Sequence, residues 1–392
     1  MVRRILQTFA NCFRIPELRS RILFTVAILA VCRLIAIIPL PGLDGTRLTL
    51  FLDEAARQAG SSSLVGMYSL FTGGALERCA LGALGIMPYI SATIIMQLLG
   101  ALVPSISKLQ REDGGRMKIA QYSRYLTLLL CLGQGFFMAI GWERPDSLFQ
   151  GFQGELVIME PIWWYRVQTV LLLTTAAMLL VWLGEQITDR GIGNGVSLII
   201  TIGILARLPQ TVQELWRLFF PPGGGDGKSL FHALALLLLL VAVAAAVIAV
   251  TQALRKIPVQ YAQRSVGRKV VPGGSSFLPL RVNYAGVMPI IFAQAILMFP
   301  EQLLSMAGRA FDLKFLSDLA VLLSYGNWSY FMLEAVLIIF FAYFWVATMF
   351  NEIQIADDLK KHGGYIPGGR PGQGTSGFLH WGMSRLTLAG AL

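Results

Sequence analysis

Histidines, cysteines and glycine-rich turns are the parts of this sequence whose chemistry could indicate an active or metal-binding site. The three histidines, His232, His362 and His380, do not combine with carboxylates or cysteines into a ligand set, so we predict no metal and no other cofactor. The run GIGNG at 191–195 resembles a dinucleotide-binding loop in its glycines, but it follows an apolar segment rather than a strand. No Ser, His and Asp set of a hydrolase is recognisable. We therefore predict no catalytic residue and no enzyme activity.

The four cysteines, Cys12, Cys32, Cys79 and Cys131, are scattered along the chain without a CxxC motif. Three of them lie in or beside apolar segments, where a free cysteine behaves as a small buried hydrophobe. We therefore expect no oxidised disulfide framework.

The composition indicates the setting in which these residues act. Hydrophobic residues make up 55% of the 392 positions and charged residues only 14%, whereas soluble domains carry about 25% charged residues. So few charges cannot cover the surface of a soluble globule of this length. The composition excludes an ordinary soluble enzyme, a disordered chain and a disulfide scaffold, and it indicates a polytopic membrane protein.

Long apolar runs mark the elements that must position any functional residue. A helix needs about 20 apolar residues to cross about 30 Å of hydrocarbon. The run at 196–206 is about 11 residues long and spans only if it includes flanking residues. We expect eight crossings and then the start of a ninth at 386–392; the eight lie at 22–40, 80–103, 126–140, 167–183, 196–206, 230–254, 284–299 and 331–350.

Lys and Arg residues are distributed unequally between the two sets of loops. With the N-terminus inside, the inner segments hold 21 of the 32 Lys and Arg residues and the outer segments hold 9. Because cytoplasmic loops carry the excess of Lys and Arg, we predict a cytoplasmic N-terminus. This alternation requires that the short run at 196–206 also crosses the membrane.

Two inner loops, 254–283 and 351–385, differ from the others in charge and length. The first contains six Lys or Arg residues and no acid, and the second is long and rich in Gly and Pro. A basic loop of this length suggests the docking of a polyanionic or acidic partner. Simple determination of topology by positive charge is the alternative reading.

Few charged residues lie within the apolar runs. Glu334 lies near the outer end of its run, Glu185 lies at an inner end, and Arg33 lies in the first run. A secondary transporter, which the composition would also allow, normally carries ion or proton ligands inside its spans. The sequence shows neither a proton relay nor an ion cage. A membrane-embedded hydrolase would need a nucleophile and a base within the spans, and these are also missing.

Residues 69–78, which precede the second run, have a mixed character. They are too polar and too rich in glycine to cross a membrane, yet too apolar for an ordinary outer loop. Non-helical backbone at membrane depth is tolerated only against protein or a water-filled cavity. The residue types therefore allow two readings, a re-entrant half-helix or an amphipathic turn on the surface.

Several long motifs, in order along the whole chain, resemble the SecY family of protein-conducting channel subunits. They are RIPELR at 14–19, IPLPG at 38–42, FTGGAL at 71–76, ALGIMPYISA at 83–92, GEQITDRGIGNG at 184–195, RKIPVQYA at 255–262, LPLRVN at 278–283 and ADDLKK at 356–361. The resemblance implies an all-α, polytopic transmembrane helix bundle of ten helices in two pseudo-symmetric halves.

The resemblance also implies a domain organisation. The N-terminal half would comprise 1–209, with helices 1–5 and a plug at about 66–78. The C-terminal half would comprise 210–392, with helices 6–8, the start of helix 9 and the cytoplasmic loops 254–283 and 351–385. On this reading, the family's tenth helix and tail would be absent from the sequence, which ends at Leu392.

Three groups of residues acquire channel roles from the resemblance. A ring of branched apolar side chains would form the pore gasket, which resists ions but yields to a peptide; it comprises Ile86, Ile90, Val196, Ile200 and Ile291. The plug, which favours the re-entrant reading of 69–78, would include Phe71, Thr72, Gly73, Gly74, Ala75 and Leu76. Polar candidates at a lateral gate are Ser91, Thr93 and Gln294.

The basic loops resemble those that receive the ribosome and the SecA motor in the family. The docking residues would be Arg255, Lys256, Arg264, Arg268, Lys269, Lys360, Lys361 and Arg370. Further implied partners are small SecE-like and SecG-like membrane subunits, signal peptides, nascent chains and the lipid bilayer. The implied location is the bacterial cytoplasmic (inner) membrane, crossed several times.

Overall fold

The structure is a computed structural model, and two compact units make up the chain, Met1–Trp216 and Arg217–Leu392. The division into pseudo-symmetric halves at 209/210 stays a prediction. The described residues are 14–58, 72–112, 114–145, 152, 154–220, 230–261, 264–266, 269–271, 274–290, 292–294, 296–297, 300, 304, 308, 314–324, 327–367 and 372–391.

Helices connected by short turns build the first unit. Its elements are α1 (Pro16–Ile35), α2 (Gly45–Gln58), α3 (Met87–Leu102), α4 (Pro104–Arg111), α5 (Gly115–Glu143), α6 (Ile162–Arg190), α7 (Gly195–Leu205) and α8 (Leu208–Phe219), the last of which runs past the boundary between the units. Helices α3, α5, α6 and α7 follow predicted apolar runs, and α6 packs against α1, α5 and α7. A turn segment at 72–86 precedes α3.

Two arginine–glutamate pairs join α5 to α6, one pair near each end of the helices. Arg124 Nε and Nη2 donate to the two carboxylate oxygens of Glu185 at 3.0 and 2.9 Å. Arg166 Nε and Nη2 donate to Glu143 at 2.9 and 2.8 Å. These pairs explain why both helices extend beyond the predicted runs at 126–140 and 167–183, because the charged flanks pair with each other.

Five helical segments of the described chain are long and apolar enough to cross a membrane: Met117–Glu143, Ile162–Arg190, Gly195–Phe219, Phe231–Gln252 and Trp328–Lys361. The third of these segments shows how the short run at 196–206 becomes long enough to span. Helix α7 continues through a turn into α8, and together they provide 25 residues. The second predicted run contains a shorter apolar helix, Met87–Gly100. The first is occupied by α1, which has charged residues at both ends. In the seventh, residues 288–290, 292–294 and 296–297 are helical.

The second unit combines helices with a small β-sheet. Its described elements are α9 (Leu230–Gln252), β1 (Leu254–Tyr261), β2 (Arg264–Val266), β3 (Lys269–Val271), β4 (Ser275–Arg281), α10 (Lys314–Leu322), α11 (Trp328–Met349), α12 (Glu352–Lys361), β5 (Gly364–Tyr365) and α13 (Gln373–Ala391). Strands β4, β1 and β5 form an antiparallel sheet in that order, with Ile257 opposite Leu278 and Gln260 opposite Tyr365. The loop predicted at 254–283 is therefore largely strand.

The region predicted as a long loop at 351–385 is mostly helical. Helix α13 begins at Gln373 and has 19 residues, so the prediction that a helix starts only at 386 is wrong. The glycines and polar residues of 373–385 obscured the apolar run. One face of α13 is nevertheless buried, through Thr375, Leu379, Gly382, Met383 and Thr387.

The sheet packs its apolar face against α11 and α13. Ile257 and Val259 alternate along β1 with exposed residues, as expected for a strand that is buried on one face. They belong to a buried cluster with Leu280, Val346, Phe350, Ile366, Leu379 and Met383. This packing ties β1, which carries Arg255 and Lys256, to the helices α11 and α13.

Candidate functional site

The segment predicted as a plug is a buried series of turns where the structure describes it. Thr72, Ala75 and Leu76 are at most 6% exposed, so the alternative of an amphipathic surface turn is wrong for these residues. Gly73 and Gly74 have φ of 65° and 84°, a left-handed conformation that glycine adopts without steric cost. Residues 73–79 form turns rather than the predicted half-helix, and Phe71 lies outside the described residues.

This segment contacts both elements of the first unit that carry predicted ring residues. A Cβ atom on Gly85 would lie 3.3 Å from Thr72 Cγ2, and Gly85 directly precedes Ile86. A Cβ atom on Gly73 would lie 3.1 Å from both Cα and O of Gly203 in α7. The turn segment is therefore seated on the start of α3 and on α7.

Two arginines contact the segment through polar interactions. Arg33 Nη2 of α1 donates to the carbonyl oxygen of Gly73 at 3.3 Å. Arg207, which follows α7, forms an ion pair with Glu77 in which both side chains are largely buried, 19% and 24% exposed respectively. The sequence indicates only that Arg33 lies within a span, and it predicts no role for Arg207.

The backbone at 79–82 is tied to the end of α1 and the turn after it. Leu40 N donates to Cys79 O at 2.9 Å, Leu81 N donates to Ile38 O at 2.9 Å, and Gly82 N donates to Ile35 O at 3.1 Å. Cys79 itself is fully buried, as the sequence predicted for a small apolar residue. Its burial, together with the charge of Asp44, raises the pKa of the thiol to about 12.

Four of the five predicted ring residues are described, and they occupy two helices of the first unit. Ile86 and Ile90 lie at the start of α3 and are 4% and 5% exposed. Val196 and Ile200 are half-buried on α7. Ile291 lies outside the described residues, so the closed ring of five stays a prediction.

A tight turn between α6 and α7 is a feature that the sequence analysis missed. Gly195 N donates to Thr188 Oγ1 at 2.9 Å, and the side chain of Asn194 caps α7 by accepting from Ser197 N at 3.1 Å. Ile192 N donates to Thr25 Oγ1 of α1 at 3.1 Å. The glycines of 191–195 therefore serve a close helix connection, and Asn194, the helix-capping residue at the end of this run, was the signal available in the sequence.

The predicted gate residues make local hydrogen bonds. Thr93 Oγ1 donates to Ile90 O of its own helix at 2.8 Å, and Ser91 is half-buried. Gln294, in the second unit, donates from Nε2 to Glu334 Oε1 at 3.3 Å. The sequence predicts Gln294 at a gate and Glu334 near the outer end of its apolar run, but it does not predict that the two side chains meet. The role of all three at a gate stays a prediction.

Four of the predicted docking residues have described side chains, and they lie on or close to the sheet of the second unit. Arg255 and Lys256 are exposed on β1, and Lys360 and Lys361 are exposed at the end of α12. Strand β5 follows α12 by two residues and pairs with β1, and Tyr365 Oη donates to Gln260 Oε1 at 2.9 Å. The structure thus joins the two basic segments in one sheet. For Arg264 and Lys269 only the strand backbone is described, and Arg268 and Arg370 lie outside the described residues.

The described residues interact with each other through hydrogen bonds, ion pairs and packing. Among them, no group of three or more His, Cys, Asp or Glu residues is arranged to hold a metal ion. His380 Nδ1 instead lies 3.0 Å from Glu352 Oε1, and His362 Nδ1 lies 2.7 Å from the carbonyl oxygen of Asp358. The functional features that the structure offers are therefore a buried turn, apolar helix faces and a basic sheet.

These features define a class of protein, a multi-pass helical membrane protein with a buried turn at the end of its spanning helices. The SecY family model matches residues 80–392. The protein translocase subunit SecY of Chlamydia trachomatis is 39% identical over 98% of this chain and 85% of its own length. That of Escherichia coli K12 is 42% identical over 96% and 82%. The chain therefore belongs to the SecY family.

Solved structures show the same fold. One described as a protein-conducting channel matches 95% of this chain and 83% of its own, with a TM-score of 0.60 and 16% sequence identity. Sec61 in a canine ribosome–channel complex matches with a TM-score of 0.56 and 15% identity. The predicted family and the predicted all-α membrane bundle are confirmed, with the small β-sheet as an addition. Catalytic activity is not a property of this channel-forming family.

Proposed function

We propose that this chain is the central, pore-forming subunit of a protein translocation channel. Unfolded secretory proteins would pass through its pore, and apolar signal sequences and membrane segments would leave sideways into the bacterial cytoplasmic membrane. The channel itself is passive, and SecA or the ribosome supplies the driving force. Family membership at about 40% identity over nearly the whole chain supports this function.

One observation in the structure carries the proposal furthest. The buried turn at 72–76 contacts α7 at Gly203 and the start of α3 at Gly85. Val196, Ile200, Gly203 and Arg207 follow each other at intervals of four, three and four residues, so they share one face of the helical chain. The segment therefore lies on the same face of α7 as two predicted ring residues, which is where a plug above a pore ring belongs.

The sheet of the second unit supports a docking role for the basic loops. Arg255 and Lys256 are exposed on β1, which contributes Ile257 and Val259 to a buried core, so the fold fixes the backbone that carries both charges. Exposed Lys and Arg residues attract the phosphates of ribosomal RNA, and they also suit an acidic surface of SecA. We propose both as alternating partners of this sheet, with a cytoplasmic N-terminus placing the sheet on the cytoplasmic side.

Further partners follow from the same proposal. SecE-like and SecG-like small subunits would complete the complex in the inner membrane. The exposed apolar residues of α9, whose spanning window contains no buried residue, agree with contact to lipid or to another membrane helix. Ser91, Thr93 and Gln294 would line the lateral gate, and Ile291 would complete the pore ring.

Deletion of residues 71–75 tests the proposed plug and pore together. We expect the variant to assemble and to conduct ions in its idle state, because the deletion removes the turn that covers the ring but leaves the spanning helices. Single-channel recording in planar bilayers measures this conductance. A five-residue deletion at 222–226, in the predicted outer loop, is the control and should leave the channel closed. An idle conductance of the 71–75 deletion equal to that of the parent protein would contradict the plug assignment.

A further inference from the structure

The turn segment at 72–82 is held in two different ways along its length. Its C-terminal part, 79–82, is bound to the backbone of 35–40 by the three main-chain hydrogen bonds given above. Its N-terminal part, 72–78, has polar contacts to Arg33 and Arg207, which are side chains of other elements. A backbone ladder changes only when the main chain rearranges, whereas side-chain contacts can be exchanged by rotamer changes. The N-terminal part is thus the end that can be released.

The ion pair between Glu77 and Arg207 is the stronger of the two side-chain contacts. Both side chains are at least three-quarters buried, so solvent and salt screen the pair less than an exposed ion pair. The Arg207 guanidinium also covers the glycine turn, because a Cβ atom on Gly74 would lie 3.6 Å from its Nε and Nη2 atoms. Removing one partner would take this ion pair away from a largely buried charge.

Arg33 contacts the same turn from α1. Its Nη2 donates to the carbonyl oxygen of Gly73, and a side chain at Gly73 would collide with the Arg33 guanidinium. The two arginines thus lie against the neighbouring glycines Gly73 and Gly74. Because they come from α1 and from the end of α7, any movement between these elements changes both contacts together.

We propose that the Glu77–Arg207 ion pair, assisted by the Arg33–Gly73 hydrogen bond, is an electrostatic latch that holds the segment 72–78 closed and sets the free-energy cost of its release. The latch rests on the proposed function, in which this segment seals the pore. It differs from closure by apolar packing of Thr72, Ala75 and Leu76 alone, because packing would be insensitive to the signs of the charges at 77 and 207.

Charge reversal separates the latch from closure by packing. The variants are Glu77→Arg, Arg207→Glu and the double exchange Glu77→Arg/Arg207→Glu, and Arg217→Glu on the exposed part of α8 is the matched control. The measurements are idle ion conductance in planar bilayers and maleimide labelling of a cysteine introduced by Leu76→Cys, a position that is 5% exposed in the closed segment. Both use the full chain with the membrane subunits that accompany it.

We expect each single reversal to raise the open fraction and the labelling rate about tenfold, which corresponds to about 1.4 kcal/mol. The double exchange should return both to within about threefold of the parent, since it restores an ion pair of opposite orientation. Arg217→Glu should change neither. Glu77→Gln, which removes the charge at nearly constant volume, should give the same direction of change if a reversal variant fails to fold.

The outcomes separate the latch from the plug. Suppose that the 71–75 deletion conducts ions in the idle state. If the single variants then behave as the parent, or if the double exchange conducts and is labelled as much as the single variants, the latch is overturned and the plug stands. If the deletion does not conduct, the plug and the latch built on it both fail. Rescue by the double exchange in both measurements supports the latch.

Discussion

Gly195 lies against Gly184, so closely that a Cβ atom on Gly195 would overlap the carbonyl oxygen of Gly184 and lie 2.9 Å from Ile187 Cβ. The start of α7 therefore packs backbone to backbone on the last turns of α6. This contact positions α7, which carries Val196 and Ile200 and supports the turn segment at Gly203. The glycine at 195 is consequently required by the space available, and the placement of the predicted ring residues of α7 depends on it.

Gly195→Ala should destabilise the protein by about 2–3 kcal/mol, since the added methyl group meets backbone that cannot move aside without shifting a helix. Thermal unfolding in detergent measures the change. Gly133→Ala is the matched control, because Gly133 lies inside α5 with no atom within 4 Å of the new methyl group. The control should be neutral or stabilising by about 0.5–1 kcal/mol. Equal unfolding midpoints for the two variants would show that α7 has room to shift.

Charge reversal on the sheet should weaken ribosome binding. Arg255→Glu/Lys256→Glu removes two exposed positive charges from β1, and we expect about a tenfold loss of affinity at low salt, because phosphate contacts dominate such interfaces. The slope of log affinity against log salt should also become shallower, by about one per lost phosphate contact. Co-sedimentation of ribosomes with proteoliposomes measures both.

The control for this experiment is Arg217→Glu/Lys228→Glu, which reverses the same number of charges in a predicted outer loop. It should bind ribosomes as the parent does. If the β1 variant and the control bind equally well at low salt, the basic sheet has no docking role and its charges serve topology alone.

The positions of the spanning helices were predictable because hydrocarbon-facing helices need long apolar runs. The run at 230–254 and the helix Leu230–Gln252 agree within two residues. Helix ends were less predictable where charges pair in space: Arg124 and Glu185 are 61 positions apart, and nothing local in the sequence signals that they meet. The pairing of Glu77 with Arg207 was unpredictable for the same reason, because the two residues are far apart in the sequence.

The sheet and α13 were missed for a different reason. In β1 the alternation of Ile257 and Val259 with exposed residues is short, and Pro258 is the exposed residue between them, so the basic and proline-containing sequence looked like a loop. In α13 the glycines at 377 and 382 lower the hydropathy, yet Leu379 and Met383 are buried on one face. Both elements are stabilised by the shared core of the second unit, which only the three-dimensional arrangement reveals.

Cys79 should resist alkylation in the folded protein. It is fully buried, and its pKa of about 12 leaves little of the reactive thiolate at pH 8. Maleimide should therefore label it only after unfolding, whereas a cysteine introduced by Arg47→Cys, on α2 where the side chain is 63% exposed, should react at once. Mass spectrometry of the two peptides gives the rates. Labelling of native Cys79 as fast as that of the control would contradict the burial.

The pKa of Cys79 also predicts a dependence of stability on pH. The folded pKa of about 12 lies above the ordinary value of 9.0, so folding favours the protonated thiol. This contribution is complete below about pH 9 and is lost as the pH rises towards 12. The unfolding midpoint of the parent should thus fall more steeply above pH 9 than that of Cys79→Ala. Parallel curves would show that the thiol does not contribute.

Gln294 and Glu334 should be energetically coupled within the second unit. Their side chains meet at 3.3 Å on two predicted spans, where water is scarce and each is a partner for the other. Gln294→Leu and Glu334→Leu should each destabilise the protein, and the double variant should lose less than the sum of the two, with a coupling of about 1 kcal/mol. Thermal unfolding of the four proteins of the cycle measures this coupling.

A second cycle with Thr348→Val in place of Glu334→Leu provides the matched control for Gln294. Thr348 lies on the same helix, α11, but its hydroxyl donates to Trp345 O of its own helix at 2.9 Å, so its effect should simply add to that of Gln294→Leu. Coupling confined to the Glu334 cycle would mean that Gln294 is bound to α11 before it can take part in a lateral gate, since its amide must first leave the carboxylate. If the stability changes are strictly additive in both cycles, Glu334 does not hold Gln294, and the Gln294 amide can face the predicted gate without first leaving the carboxylate.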